Sequence, residues 1–181
     1  MSEPAAREQP SAREHVLVVG VMANESGDAT SDTVLIEAIR FARMLSAELV
    51  LANVDTTRYT TKRNADGTVS AFPIDPDSAD SVTEEFDPGL AEHVTAILAN
   101  SDIRWSLRAL AGDPAHELAR LAHEVNALAI VVGTRKRGLR TTAHEFFNGS
   151  VAVHLAHRQH HPVIVIPLDP VAHDEPLPWE V

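Results

Sequence analysis

The sequence predicts an α/β domain built on a parallel sheet with helices on both faces, and three observations carry that expectation. Short apolar runs without alternation (HVLVVGVM, AELVLANV, ALAIVVG and PVIVIPL) have the composition of strands buried on both sides. Segments of helical period fall between them, so that strand and helix alternate five times along the chain. The 181 residues, 44% of them apolar, suffice for one domain with its own core; the absence of cysteine removes disulfides and thiol redox chemistry.

Residues 1–14 carry charge and proline without an apolar stretch and read as a flexible tail. HVLVVGVM is the first strand, and the ANESGD that follows has loop composition. Thr30, Ser31 and Asp32 are candidate caps for a first helix whose apolar positions Leu35, Ile36, Ile39, Ala42 and Met44 recur at helical spacing. AELVLANV is the second strand, returned to parallel pairing by a right-handed crossover through that helix. Residues 55–88 show no sustained period, and Asp75, Asp77, Asp80, Glu84, Glu85 and Asp87 follow one another there without an intervening base. They read as a variable, solvated loop, with a mobile lid as the alternative.

PGLAEHVTAILANS is the second helix, and IRWSLRALAG is a third strand exposed in part on one face. Asp113 as N-cap and Pro114 at the first helical position open the third helix, DPAHELARLAHEVN. ALAIVVG is the fourth strand, NGSVAVHLAHRQ the last helix and PVIVIPL the fifth strand. Phe146 and Phe147 are expected to pack in the core, and the proline-rich tail 169–181 has Leu177 and Trp179 either disordered or docked on a neighbouring subunit.

A formal net charge of −11 sets the whole-molecule field against polyanions, so neither nucleic acid nor a membrane surface is an expected partner. The N-terminus lacks the apolar core of a signal peptide and no segment approaches 18 uncharged apolar residues, which predicts a soluble, cytoplasmic protein. No GxSxG elbow and no Ser-His-Asp order mark a hydrolase, leaving no catalytic residue to name and at most slow hydrolysis of whatever the chain binds. His154 and His157 share a helical face near His160 and His161, but without an HExxH motif they read as a polar helix face, not a metal site.

Charge is distributed unevenly. Between Gly133 and Ser150 the bases Arg135, Lys136, Arg137 and Arg140 stand against Glu145 alone. Parallel sheets bind ligands at the carboxyl ends of their strands, and this basic run follows the fourth strand at such an end. Gly133 permits a close turn, and Gly149-Ser150 stands where the last helix should begin, where unpaired backbone N–H groups and a hydroxyl can receive a phosphate. The run is thus a phosphate-binding loop, or it merely solvates a turn or pairs with the acidic 75–87 segment.

GDPAHEL after the third strand, IVVGTR at the fourth, and NGSVAVHLAHRQHHPVIVIP to the end resemble the universal stress protein family over roughly residues 14–168. The resemblance implies a domain over 15–168 on a single five-stranded parallel sheet in the order 3-2-1-4-5, and a homodimer joined through the last strand. For one subgroup it implies ATP, with Mg²⁺, as the bound cofactor. That subgroup is marked by glycine, two residues, glycine, nine residues, then glycine and serine or threonine. Gly133 and Gly149-Ser150 match its ends, while Lys136 takes the middle glycine's place, Gly138 follows two residues later, and fifteen residues separate Gly133 from Gly149.

Carried over residue by residue, Val54 lies near the adenine and Gly112 near the ribose or base, while Gly133, Thr134, Arg135, Arg137, Gly149 and Ser150 face the phosphates. The family's acidic residue at the end of the first strand falls at Met22, with Asn24, Glu25 and Asp28 as nearby substitutes. The functional expectation is a stress-response protein binding an adenine nucleotide. The alternative is a dimeric interaction module acting through protein partners without nucleotide.

Overall fold

The first strand, β1 (His15–Val21), lies at the centre of the sheet, as its unbroken apolar run requires. The computed structural model describes residues 15–22, 30–75, 82–134 and 151–168. Helix α1 (Thr30–Leu45) returns the chain to β2 (Ala47–Asp55), which pairs parallel to β1 from His15 opposite Ala47 to Val21 opposite Asn53. The next elements are β3 (Arg58–Arg63), β4 (Val69–Pro73) and β5 (Val82–Thr83), then α2 (Pro88–Leu98) and β6 (Trp105–Ala111). The chain continues through α3 (Pro114–Glu124), β7 (Ala129–Gly133), α4 (Val151–Arg158) and β8 (Val163–Ile166). The main sheet runs β6-β2-β1-β7-β8, all parallel, which is the expected 3-2-1-4-5 order of its five strands.

Strand alternation divides the core into two layers. Leu17, Val19 and Val21 point with Leu49 and Leu51 toward α1 and α2, where they meet Leu35, Ala38, Leu90 and Val94. Val16, Val18 and Val50 point the other way, against Leu118, Leu121 and Ala122 of α3 and Leu155 of α4. Full burial of each such Val or Leu side chain contributes about 1.5–3 kcal/mol.

Capping fixes where the helices on the C-terminal half begin. Asp113 accepts from the His116 amide at 2.8 Å ahead of Pro114, and Asp87 accepts from the Leu90 amide at 2.7 Å ahead of Pro88. Asp32, a candidate cap, instead brings Oδ1 to 2.5 Å from His93 Nε2 and ties α1 to α2. On α1 the core-facing row is Val34, Leu35, Ala38, Ile39 and Ala42. Ile36 and Met44, expected on that face, are 52% and 67% exposed, because the stripe passes through Leu35 beside the first and through Ala42 and the partly buried Leu45 on either side of the second.

The largest departure from expectation lies between 55 and 88. In place of a loop without regular structure, β3, β4 and β5 form a second, antiparallel sheet in the order β3-β4-β5. Its inner side buries Val69 and Ala71, Val69 joining the layer beneath α3. Its outer side stacks Tyr59 on Phe72 with ring centroids 6.3 Å apart. The sheet sits over β6, the edge strand of the main sheet. Among the described residues no helix is long and apolar enough to cross a membrane.

Candidate functional site

The carboxyl ends of β1, β2, β6 and β7 bring together Met22, Val54, Gly112, Gly133 and Thr134, residues far apart in the chain. Met22 follows β1 and is 72% exposed, so the end of the central strand presents a thioether where the resemblance calls for a carboxylate. Asn53 steadies this end by donating from Nδ2 to the Val21 carbonyl at 3.2 Å. Val54 is half-buried opposite Leu110 and packs against the layer beneath α3, leaving part of its surface at the strand end.

Gly112 sits in the turn from β6 to α3 with φ +128°, a conformation that side-chain-bearing residues rarely adopt. Its amide donates to the Asp55 carbonyl at 2.9 Å, extending the β2–β6 ladder by one bond. The nearest group to a Cβ placed there would be the Glu117 side chain, at 3.6 Å, an ordinary contact. Glycine is therefore needed here for its backbone.

Gly133 answers a different demand. A Cβ at this position would lie 2.7 Å from Leu168 Cδ1 and 2.9 Å from Val34 Cγ2, so close packing of β7 against α1 and the chain after β8 fills that side. Thr134 continues the closure: its amide donates to the Ile166 carbonyl at 2.8 Å, and its hydroxyl accepts from the Leu168 amide at 2.9 Å. Both residues thus hold β8 in place at the strand end from which the basic run departs. Arg135, Lys136, Arg137, Gly138, Arg140, Phe146, Phe147, Gly149 and Ser150 lie outside the described residues. So do Asn24, Glu25, Asp28, Asp77, Asp80, Leu177 and Trp179.

Two charged groups were not singled out in the sequence. Glu117 is 3% exposed in the first turn of α3, where Oε1 receives Arg63 Nη2 at 2.8 Å and lies 3.2 Å from His116 Nδ1. Oε2 receives Arg120 Nε at 3.3 Å. Burial pushes the carboxyl upward, but the Arg63 hydrogen bond and charge, with Arg120 and His116, outweigh it and hold the group below the usual carboxylate range. Glu117 precedes Leu121 by four residues and so falls on the core-facing row of α3, a signal legible in the sequence; its partner Arg63 is 54 residues away and was not.

The second group is Asp55, Arg58 and Glu84, where β2 enters the small sheet. Asp55 Oδ1 accepts from the Thr57 amide and hydroxyl at 2.7 and 2.6 Å, and Oδ2 lies 3.5 Å from Arg58. Glu84 is raised above its ordinary value by burial and by the Asp55 charge, against the opposing pull of Arg58. A separate 460 Å³ cavity, lined by Arg43, Glu48, Asp102 and their neighbours, lies at the amino ends of β2 and β6, where Arg43 and Asp102 pair with each other at 3.1 Å.

Comparison with known proteins agrees with this architecture. The model of the universal stress protein family matches residues 15–167. Among solved structures, one of a universal stress protein in complex with cAMP covers 86% of this chain and 98% of its own at 23% identity, TM-score 0.56. A universal stress protein from Archaeoglobus fulgidus covers 84% and 93% at 19% identity, TM-score 0.53. A universal stress protein family protein from Arabidopsis thaliana with AMP bound covers 84% and 91% at 17% identity, TM-score 0.51. No curated protein matches the sequence at a significant level. With the family match running from the first residue of β1 to the residue after β8 on a five-stranded parallel sheet of the expected order, the chain belongs to the universal stress protein family.

Proposed function

We propose that this chain is a cytoplasmic stress-response protein that binds an adenine nucleotide, ATP with Mg²⁺, at the carboxyl ends of its parallel strands. The observation that carries the proposal is the family match over residues 15–167 on a fold whose solved neighbours include proteins crystallised with cAMP and with AMP. Val54 and the Gly112 main chain would receive the base and ribose. Gly133, Thr134, Arg135, Arg137, Gly149 and Ser150 would face the phosphates, in a basic run whose local charge opposes the −11 of the whole chain. Bound there, Mg²⁺ would neutralise part of the triphosphate charge. With Met22 in place of the family's acid, recognition of the nucleoside falls to main-chain groups.

Titration calorimetry with ATP and Mg²⁺ tests the reading. Saturable binding that the double variant Arg135→Ala, Ser150→Ala abolishes supports it; absence of binding by the unaltered chain refutes it.

The dimer belongs to the same proposal. β8 is an edge strand with Val165 42% exposed, and an open apolar edge invites pairing with a second copy. Val165→Lys should then convert a dimer to a monomer in light scattering.

A second reading, a dimeric interaction module without nucleotide, is favoured by the Tyr59–Phe72 stack, whose members are 51% and 38% exposed on the outer side of the small sheet. Tyr59→Ser with Phe72→Ser would abolish capture of a protein partner under that reading while leaving ATP affinity unchanged.

A further inference from the structure

We infer that Arg63 is a positioning residue: acting through Glu117, it fixes the turn at Gly112, which makes the β3-β4-β5 sheet a brace for one wall of the strand-end site. Two hydrogen bonds and one close approach converge on this turn. Arg63, the last residue of β3, reaches Glu117 at 2.8 Å. Thr60, also on β3, donates its hydroxyl to the Ala111 carbonyl at 2.8 Å, immediately before Gly112. Glu117 in turn places Cγ 3.6 Å and Oε1 3.8 Å from the position a Gly112 Cβ would take.

The geometry makes the coupling specific. The other partners of the Glu117 carboxylate, Arg120 and His116, belong to α3 itself and move with it. Among the described residues, Arg63 is the partner that ties this carboxylate to another element. Val69, paired directly with Arg63 across β3 and β4, anchors this end of the small sheet in the layer beneath α3, so the sheet is fixed at its base and can transmit a constraint to the turn. Gly112 needs that constraint more than most positions: a glycine at positive φ has wide backbone freedom, and its Asp55 bond alone fixes one side of it. Burial raises the demand further, since a carboxylate 3% exposed requires its partners in place.

That the turn serves a ligand rests on the nucleotide reading above; that Arg63 holds it does not. The experiment measures both on the full chain. Amide exchange at residues 111–116 is followed by NMR alongside β1 amides, and ATP affinity by calorimetry, in the unaltered protein, Arg63→Ala and Arg63→Lys. The expected result for Arg63→Ala is exchange at least tenfold faster at 111–116, with β1 unchanged, and ATP binding about five- to tenfold weaker. Arg63→Lys should recover part of both.

Exchange that is unchanged at the turn, or that rises equally in β1, overturns the brace, since the pair would then contribute only to global stability. If the unaltered chain binds no ATP while Arg63→Ala still loosens the turn selectively, the brace stands and the nucleotide reading fails. If ATP binds and the turn is indifferent to Arg63, the reverse holds.

Discussion

The amide of Leu168 donates a 2.9 Å hydrogen bond to the hydroxyl of Thr134, joining the chain just after β8 to the chain just after β7. This bond lies one residue beyond Gly133, whose missing side chain makes room for Leu168 itself. Thr134→Val keeps the shape and removes the acceptor, leaving a half-buried N–H without its partner, and should cost about 1–2 kcal/mol in urea unfolding. Thr134→Ser, which retains the oxygen, should lose less than half of that.

Gly133→Ala puts a methyl group where Leu168 Cδ1 and Val34 Cγ2 stand 2.7 and 2.9 Å away. Overpacking of this kind costs about 1–3 kcal/mol. Both neighbours are side chains that can shift, so the variant should fold, with a lowered urea midpoint and perturbed methyl resonances at Val34 and Leu168.

Glu117 gives stability a defined response to acid. Its folded-state carboxyl is held below the ordinary value, so its contribution is complete above about pH 4.5 and is lost as pH falls through the lower folded value. Glu117→Gln should destabilise the protein by about 2 kcal/mol at pH 7, the scale of a hydrogen bond to a charged group. That penalty should shrink as the pH is lowered into the acid range, which thermal unfolding across pH 3–7 will measure.

Glu84 responds in the opposite sense. One of its carboxylate oxygens is buried without a hydrogen-bond partner among the described residues, and burial together with Asp55 raises the group above its ordinary value. Its ionisation therefore works against folding, and the associated stability falls as pH rises through the raised value. Glu84→Gln should raise the melting temperature at pH 7, by an amount corresponding to at most about 1 kcal/mol given its partial exposure to solvent. The gain should vanish in acid, where the native side chain is already neutral.

Four strands of the main sheet were legible as nearly unbroken apolar runs, as in LVLA and AIVV, and β6 by its partial alternation in WSLRALA. The small sheet was not, for a physical reason. RYTTKR buries no residue fully and VSAFP buries only Val69 and Ala71, and the two strands are held by Val69 and by bonds from Thr60 and Arg63 to distant β6 and α3. Such contacts leave no local period. At the candidate site, Val54, Gly112, Gly133 and Thr134 do converge on the carboxyl ends of the strands. The sequence alone did not separate the backbone requirement at Gly112 from the packing requirement at Gly133, since glycine satisfies both.

Adenine nucleotide binding at the carboxyl ends of the strands is tested most directly by the melting temperature of the purified chain against ATP concentration with Mg²⁺. A ligand present at one hundred times its Kd stabilises the native state by about 2.7 kcal/mol. The predicted result is a melting temperature that climbs with the logarithm of ATP up to the millimolar range and climbs less with GTP. A melting temperature indifferent to millimolar ATP, in protein confirmed free of nucleotide retained from purification, would contradict it.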